Sequence, residues 1–324
     1  MHWEGATIVC KRGRLPIRSA SVLIRRDSLL LLSNPKGGKG MHLTSLHTEL
    51  AILSPASTAA PQVFRKTELN RRRYDQVLAD MQRLRGSIYL RDGAIQADEL
   101  TADGRHKLAI DERSWHILLM DGAGSVKGCL RYLEENDASR FDDLSIRQSA
   151  LTHCPVWGGK FRRAVELEMA RAALRHLRFG SVGGWAVAED RRCTTDPLRM
   201  VLATCGLFRL LGGCIGLATA TVRHCSAGIL RRIGLTPLTI DGVELPSYWD
   251  PRYQCQMEAL RFDSDLPSPK YARAIDELSY ELGFVPVISR EGRVSEWCGR
   301  LHGIDSPAPV AGVESNQSLL VPVG

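Results

Sequence analysis

No two of the nine cysteines in this 324-residue chain stand in Cys-x-x-Cys spacing. An odd, scattered set of this kind excludes a disulfide framework and a zinc site built on paired cysteines, and it points to a reducing cytoplasm. Long apolar runs are missing too. The stretch SLLLL at 28–32 falls far short of the roughly 20 residues that cross a bilayer, so no membrane span is expected. Acidic residues are scarce in one place: residues 1–66 carry three, against ten lysines and arginines. The net charge of +7 belongs to this segment, and the rest of the chain is balanced. A folded face that binds nucleic acid would carry its own basic excess. No such excess shows in the totals beyond residue 66, so no nucleic-acid partner is expected there.

What is present divides the chain into three. Residues 1–65 contain SNPKGGKG and SPASTAAPQ, rich in turn and linker residues, and read as a basic, disordered N-terminal arm. A transit peptide has the same composition. Residues 291–324 lack periodicity and read as a loose tail. Residues 66–290 carry the pattern of one domain. In KTELNRRRYDQVLADMQRLRGS, Tyr74, Val77, Leu78, Met81 and Leu84 recur at spacings of three and four, the apolar face of a helix. SWHILLMD and VKGCLRYLEE are strands joined by the hairpin turn DGAGS. FRRAVELEMARAALRHLRFG is a second amphipathic helix, with Gly180 placed to stop it.

Strands and helices then alternate. VGGWAVAE is an apolar strand of the kind covered on both faces, and an apolar helix runs from Pro197 to about Leu211. CIGLATATV, SAGILRRIG, YQCQMEALRFD and KYARAIDELSYEL follow, with GFVPVIS as an edge strand. Alternation implies right-handed crossovers and a partly parallel sheet, and the front hairpin makes that sheet mixed. The expected fold class is α/β: a mixed central sheet flanked by helices.

The junction RRCTTDP at 191–197 ends a buried strand on two arginines and starts a helix. Free amides at a helix start, with the helix dipole, favour a phosphate. Arg191 and Arg192 add forked cationic donors, and Thr194, Thr195 and Asp196 are capping or donor groups. The same residues also suit a well-capped structural helix with solvated arginines.

This succession of strand, phosphate loop, buried helix, strand and the segment ILRRIGLTPL resembles the GNAT superfamily of acyl-coenzyme A-dependent N-acyltransferases. The resemblance implies a GNAT-like sheet in which Val187, Arg191, Arg192, Thr194, Thr195 and Asp196 hold pantetheine and pyrophosphate. In the family's loop pattern, Arg/Gln-x-x-Gly-x-Gly/Ala, Arg192 matches the first position, while Thr195 and Pro197 replace the small residues. Leu230 stands where the family places a tyrosine general acid. The front half, RLRGSIYLRDG followed by SWHILLMDGAGSVKGCLRYL, looks like acyl-homoserine-lactone synthases and long-chain N-acyl amino acid synthases. Gly128 and Arg131 match their Gly-x-x-Arg; their Glu-x-Ser-Arg is replaced by SVGG at 181–184.

Acyl transfer to an amine requires a proton acceptor, oxyanion donors and a leaving thiolate. His224 after CIGLATATV and Glu258 within YQCQMEALRFD are candidate bases, against bland roles as an exposed or capping histidine and a solvated glutamate. Arg131 is a candidate for an acceptor carboxylate or for a surface ion pair. Gly183 and Gly184 leave room for a thioester arm or for close packing. The expected function is N-acyl transfer from acyl-CoA or acyl carrier protein to a small amine, such as an amino acid, in the cytoplasm and without a metal. The rivals are a catalytically silent module of the same fold that binds acyl thioesters, and nucleic-acid binding by the arm.

Overall fold

The computed structural model describes residues 48–223 and 225–290. Two strands, β1 (Thr48–Leu53) and β2 (Lys66–Leu69), lead into α1 (Arg71–Arg91). The hairpin of β3 (Trp115–Asp121) and β4 (Val126–Glu134) follows. Next come α2 (Gly158–Leu174), β5 (Arg178–Val187), α3 (Asp196–Leu210), β6 (Cys214–Thr221) and α4 (Ser226–Ile233). The short strands β7 (Thr236–Pro237), β8 (Thr239–Ile240), β9 (Val243–Glu244) and β10 (Tyr248–Asp250) lead to β11 (Cys255–Asp263). Helix α5 (Pro269–Leu282) and β12 (Pro286–Ser289) complete the described chain.

Strand alternation decides the layers. In β1, Leu50 and Ile52 join the core under α3 and α5, while Ala51 and Leu53 join the core under α1. In β4, Leu130 and Tyr132 take the first face and Cys129 the second. In β11, Leu260 and Phe262 take the α3 side, and Met257 and Ala259 pack with Phe161 and Val165 of α2. Helices α3, α4 and α5 therefore cover one face, and α1 and α2 the other. The sheet order is β10-β11-β6-β5-β4-β3-β1-β12-β2, with β7 also on β11. β5–β6, β1–β12 and β12–β2 are parallel, so the sheet is mixed, as expected for this fold class.

Three local expectations change. Residues 48–65, assigned to the arm, include β1, which pairs with β3 along its whole length, and Phe64, which is buried. The described domain thus begins by residue 48; the remainder of the arm and the tail at 291–324 lie outside the described residues. Strand β12 is not an edge: it lies between β1 and β2 with Val287 and Ile288 fully buried. Helix α2 stops at Leu174, where His176 takes the left-handed turn (φ 54°), and Gly180 lies inside β5. There a side chain would strike the Tyr132 ring and the Leu133 carbonyl.

Candidate functional site

The parallel pair β5–β6 parts company halfway. Its register runs from Arg178↔Cys214 to Val182↔Ala218 and stops. Beyond that point β5 remains on β4 as far as Val187↔Gly128, and β6 remains on β11 through Thr219↔Ala259 to Thr221↔Met257. Residues 183–187 and 219–221 thus flank a gap, with no ladder partner across it among the described residues. At its start β5 carries a bulge: Cys129 pairs with Ala186 but Arg131 with Gly183. Gly184 provides the left-handed residue (φ 64°) that the extra residue requires.

Beside this bulge sits a buried charge cluster. Arg85 of α1 is wholly buried and grips Asp111 bidentately, Nη1 to Oδ1 at 2.9 Å and Nη2 to Oδ2 at 2.7 Å. Asp111 also accepts from Gln82 Nε2 and from the Leu108 amide, each at 3.0 Å. Arg131 of β4 brings its Nη1 to 4.0 Å from the same carboxylate. Its Nε and Nη1 have no hydrogen-bond partner among the described residues, and it is 8% exposed. The guanidinium lies over Gly183, where a Cβ would stand 3.2 Å from Nη2.

Burial, then Arg85, pull Arg131 below the usual arginine range. Burial is the largest single influence and raises the Asp111 carboxyl, but the hydrogen bond and charge of Arg85, together with the smaller contributions of His116 and the Leu108 amide, outweigh it and hold the carboxyl low. His116 donates from Nε2 to the Asp111 carbonyl (2.8 Å), and burial pushes its pKa down to about 4. Burial and Arg85 also lower His106. With both histidines neutral, two arginines face one aspartate, leaving a surplus positive charge in a buried place. Tyr89 and Tyr253 lie within electrostatic range of Arg131, and burial raises both phenols.

The RRCTTDP junction is differently satisfied. Arg192 reaches Asp92 at the end of α1 (Nη2 to Oδ2, 2.7 Å), and its Nε donates to the Val187 carbonyl at 3.2 Å. Arg191 is buried, 3.4 Å from Asp190 and 3.9 Å from Asp196. Asp196 also accepts from the Thr48 hydroxyl, 3.2 Å away. Thr195 makes no side-chain cap; the Asp196 amide donates to Thr194 Oγ1 at 3.1 Å instead. The helix start thus holds its own carboxylate, and the expected phosphate grip coincides with an internally paired network.

The remaining expected residues do not converge on Arg131. Glu258 shares its side of β11 with Leu260 and Phe262, on the α3–α4 face, and lies 3.4 Å from Arg231. Arg131 shares the opposite face with Cys129. These two candidates are therefore separated by the sheet. Arg131 is not a surface ion pair but a buried one. His224 lies outside the described residues. Leu230, at the tyrosine position, is a core residue of α4. Among the described residues no group of three or more His, Cys, Asp or Glu side chains is arranged to hold a metal, and no helix is long and apolar enough to cross a membrane.

Several solved structures are similar to this chain. One is a CoA-dependent acyl-homoserine lactone synthase, BjaI, with MTA: 16% identity, 76% of this chain and 95% of that chain covered, TM-score 0.46. A second is FeeM, an N-acyl amino acid synthase from uncultured soil microbes: 11% identity, 68% and 92% covered, TM-score 0.39. A third is the AHL synthase LasI: 12% identity, 67% and 90% covered, TM-score 0.42. These are proteins of the kinds that the sequence itself resembles. No family model matches the chain, and no curated protein matches it.

Arg85, Asp111 and Gln82 were absent from the expected site. Each looks like an ordinary helix or loop residue in the sequence. The available signal was Arg85 on the apolar face of α1, one turn from Met81 and Tyr89, where a charge demands a buried partner.

Proposed function

We propose that this chain is an N-acyltransferase that moves an acyl group from a thioester, acyl-coenzyme A or acyl carrier protein, to the amine of an amino acid. The observation that carries this reading is Arg131. A buried guanidinium with two donor atoms unmatched, in a cluster with one cation in surplus, is poised for an anion, and an amino-acid carboxylate meets that need. The gap between β5 and β6 opens beside it and supports entry of an extended thioester arm. Its strand backbones offer hydrogen-bonding groups to such an arm and to a developing oxyanion. Val187 and residues 191–196 form the donor end of this proposed path. The protein's contribution is proximity and charge placement; the thioester supplies the activated carbon.

A second reading, a silent thioester-binding module, draws on Leu230 at the tyrosine position and on the capture of the Val187 carbonyl by Arg192. One experiment separates the two. Purified protein is incubated with acyl-CoAs of graded chain length, or the matching acyl carrier proteins, and a set of amino acids; N-acyl products are read by mass spectrometry and thioester binding by calorimetry. Product formation supports the enzyme, binding without product supports the module, and neither binding nor product removes both.

A further inference from the structure

Both walls of the gap are tied to one residue at the end of α1. Arg192, in the turn after β5, sets two guanidinium nitrogens on the Asp92 carboxylate, Nη2 to Oδ2 at 2.7 Å and Nη1 to Oδ1 at 3.4 Å. Arg223 follows the end of β6 and donates from Nη2 to the Asp92 carbonyl at 2.7 Å. The ladder between β5 and β6 stops at Val182↔Ala218. Asp92 therefore joins the two strand ends where their backbones no longer meet. Arg91 Nε also lies 3.4 Å from Asp92 Oδ1, and that arginine has a second partner in Glu189, Nη1 to Oε2 at 2.8 Å.

Arg192 covers the donor end of the gap at the same time. Its Nε donates to the carbonyl of Val187, the last residue of β5 and the last that lines the gap. One guanidinium thus occupies a backbone acceptor with one nitrogen and is held by Asp92 through the other two. The hold is open to exchange. The Asp92 side chain is 17% exposed and that of Arg192 33%, so water screens the pair. An ion pair of this kind is worth no more than about fivefold in an equilibrium. A phosphate fits the same guanidinium fork as a carboxylate does.

Building on the acyl-transfer reading above, we propose that Asp92 is a positioning residue that, through Arg192, selects acyl donors carrying a phosphate at the end of the thioester arm. At rest the Asp92 carboxylate holds Arg192, and Arg192 covers the Val187 carbonyl. A donor phosphate takes the place of the carboxylate on Nη1 and Nη2. The guanidinium follows the phosphate, Nε leaves Val187, and the uncovered carbonyl accepts an N–H of the arm. A thioester without a phosphate has nothing to exchange for Asp92 and meets a carbonyl already occupied. Coenzyme A and the phosphopantetheine of a carrier protein share this phosphate, so Asp92 admits the class and is indifferent to the acyl chain.

The test is calorimetry on the full chain with two probes that differ only in the phosphate, an acyl-phosphopantetheine and the matching acyl-pantetheine. Wild type is expected to favour the phosphorylated arm. Asp92→Ala is expected to widen that preference about twofold to fivefold, because the competing carboxylate is gone. In an Arg192→Ala background the same Asp92→Ala change is expected to leave the preference unaltered. A nearby negative charge acting only at a distance would instead widen it in both backgrounds, and a merely structural Asp92 would weaken both probes alike; either result overturns the proposal. Asp92→Asn keeps an acceptor of the same shape without the charge; it is expected to give part of the gain, and it serves if the alanine variant fails to fold. An unchanged preference in Asp92→Ala, with N-acyl product still formed by wild type, overturns the role of Asp92 and leaves acyl transfer standing. A wild type that binds neither probe and forms no product from acyl-CoA or acyl carrier protein overturns both.

Discussion

Arg191 and Arg192 follow the end of β5, while Arg85 and Arg131 meet beside its middle, and the two pairs are balanced differently. At the strand end each arginine has its own carboxylate: Asp92 holds Arg192, and Asp196 lies against Arg191. In the buried cluster both arginines share Asp111. Adjacent arginines before a helix look like an anion site, yet their charge is already answered within the protein. Two arginines distant in the chain look unremarkable and leave a cation in surplus. An anion site is defined by the charge that remains after internal pairing, not by the number of cations.

The largest expected effect is at the shared carboxylate. Asp111→Ala strands two buried guanidiniums and should cost about 3–5 kcal/mol, measured by denaturant unfolding. Asp92→Ala, at the partly exposed pair, should cost at most about 1 kcal/mol. Equal losses would break the comparison.

Acid should find the buried cluster next. His116 is held neutral, with a pKa of about 4 in place of 6.5. The unfolded chain therefore binds the extra proton first as pH falls. This stabilisation is complete above about pH 6.5 and is lost on descending toward 4, by up to about 1.4 kcal/mol per pH unit. Asp111, whose folded pKa is depressed, contributes stability that is lost at lower pH still. Unfolding free energy measured between pH 7 and 4 checks this; a flat profile there contradicts the buried neutral histidine.

Arg131→Met sharpens the contrast, because Arg85 still answers Asp111 when the surplus cation is gone. Folding stability should hold or rise by about 1 kcal/mol. The acceptor KM should rise about tenfold to a hundredfold, as expected for losing a charged hydrogen bond. Gly183→Ala should have a milder effect of the same kind, since its methyl forces the Arg131 guanidinium to give way. The smallest change is expected from Arg192→Ala. Asp92 already neutralises this arginine, so thioester affinity should weaken less than about tenfold and stability should fall by at most about 1 kcal/mol. Calorimetry with acyl-CoA reads the first, thermal melting the second. A hundredfold loss of thioester affinity would instead show that the strand-end arginines grip the phosphate by their charge.

The sequence by itself determined the order of the longer elements from α1 to β12, though not the short strands β7 to β10, because apolar periodicity, hairpin turns and a proline at a helix start act over a few residues. It also determined the α/β class and the positions of Arg131, Gly183 and Gly184, although not what surrounds them. Only the tertiary structure decided the rest. β1 looked like linker because its parallel partner lies at the other end of the chain: the Ser54 hydroxyl meets the Ile288 carbonyl 234 residues away. β12 looked like an edge because nothing local announces that β1 and β2 flank it. Glu258 and Arg131 looked compatible until strand pairing placed them on opposite faces. The physical reason is the same each time. Helix and turn formation depend on neighbours in the chain, whereas sheet order, burial and the balance of charge depend on neighbours in space.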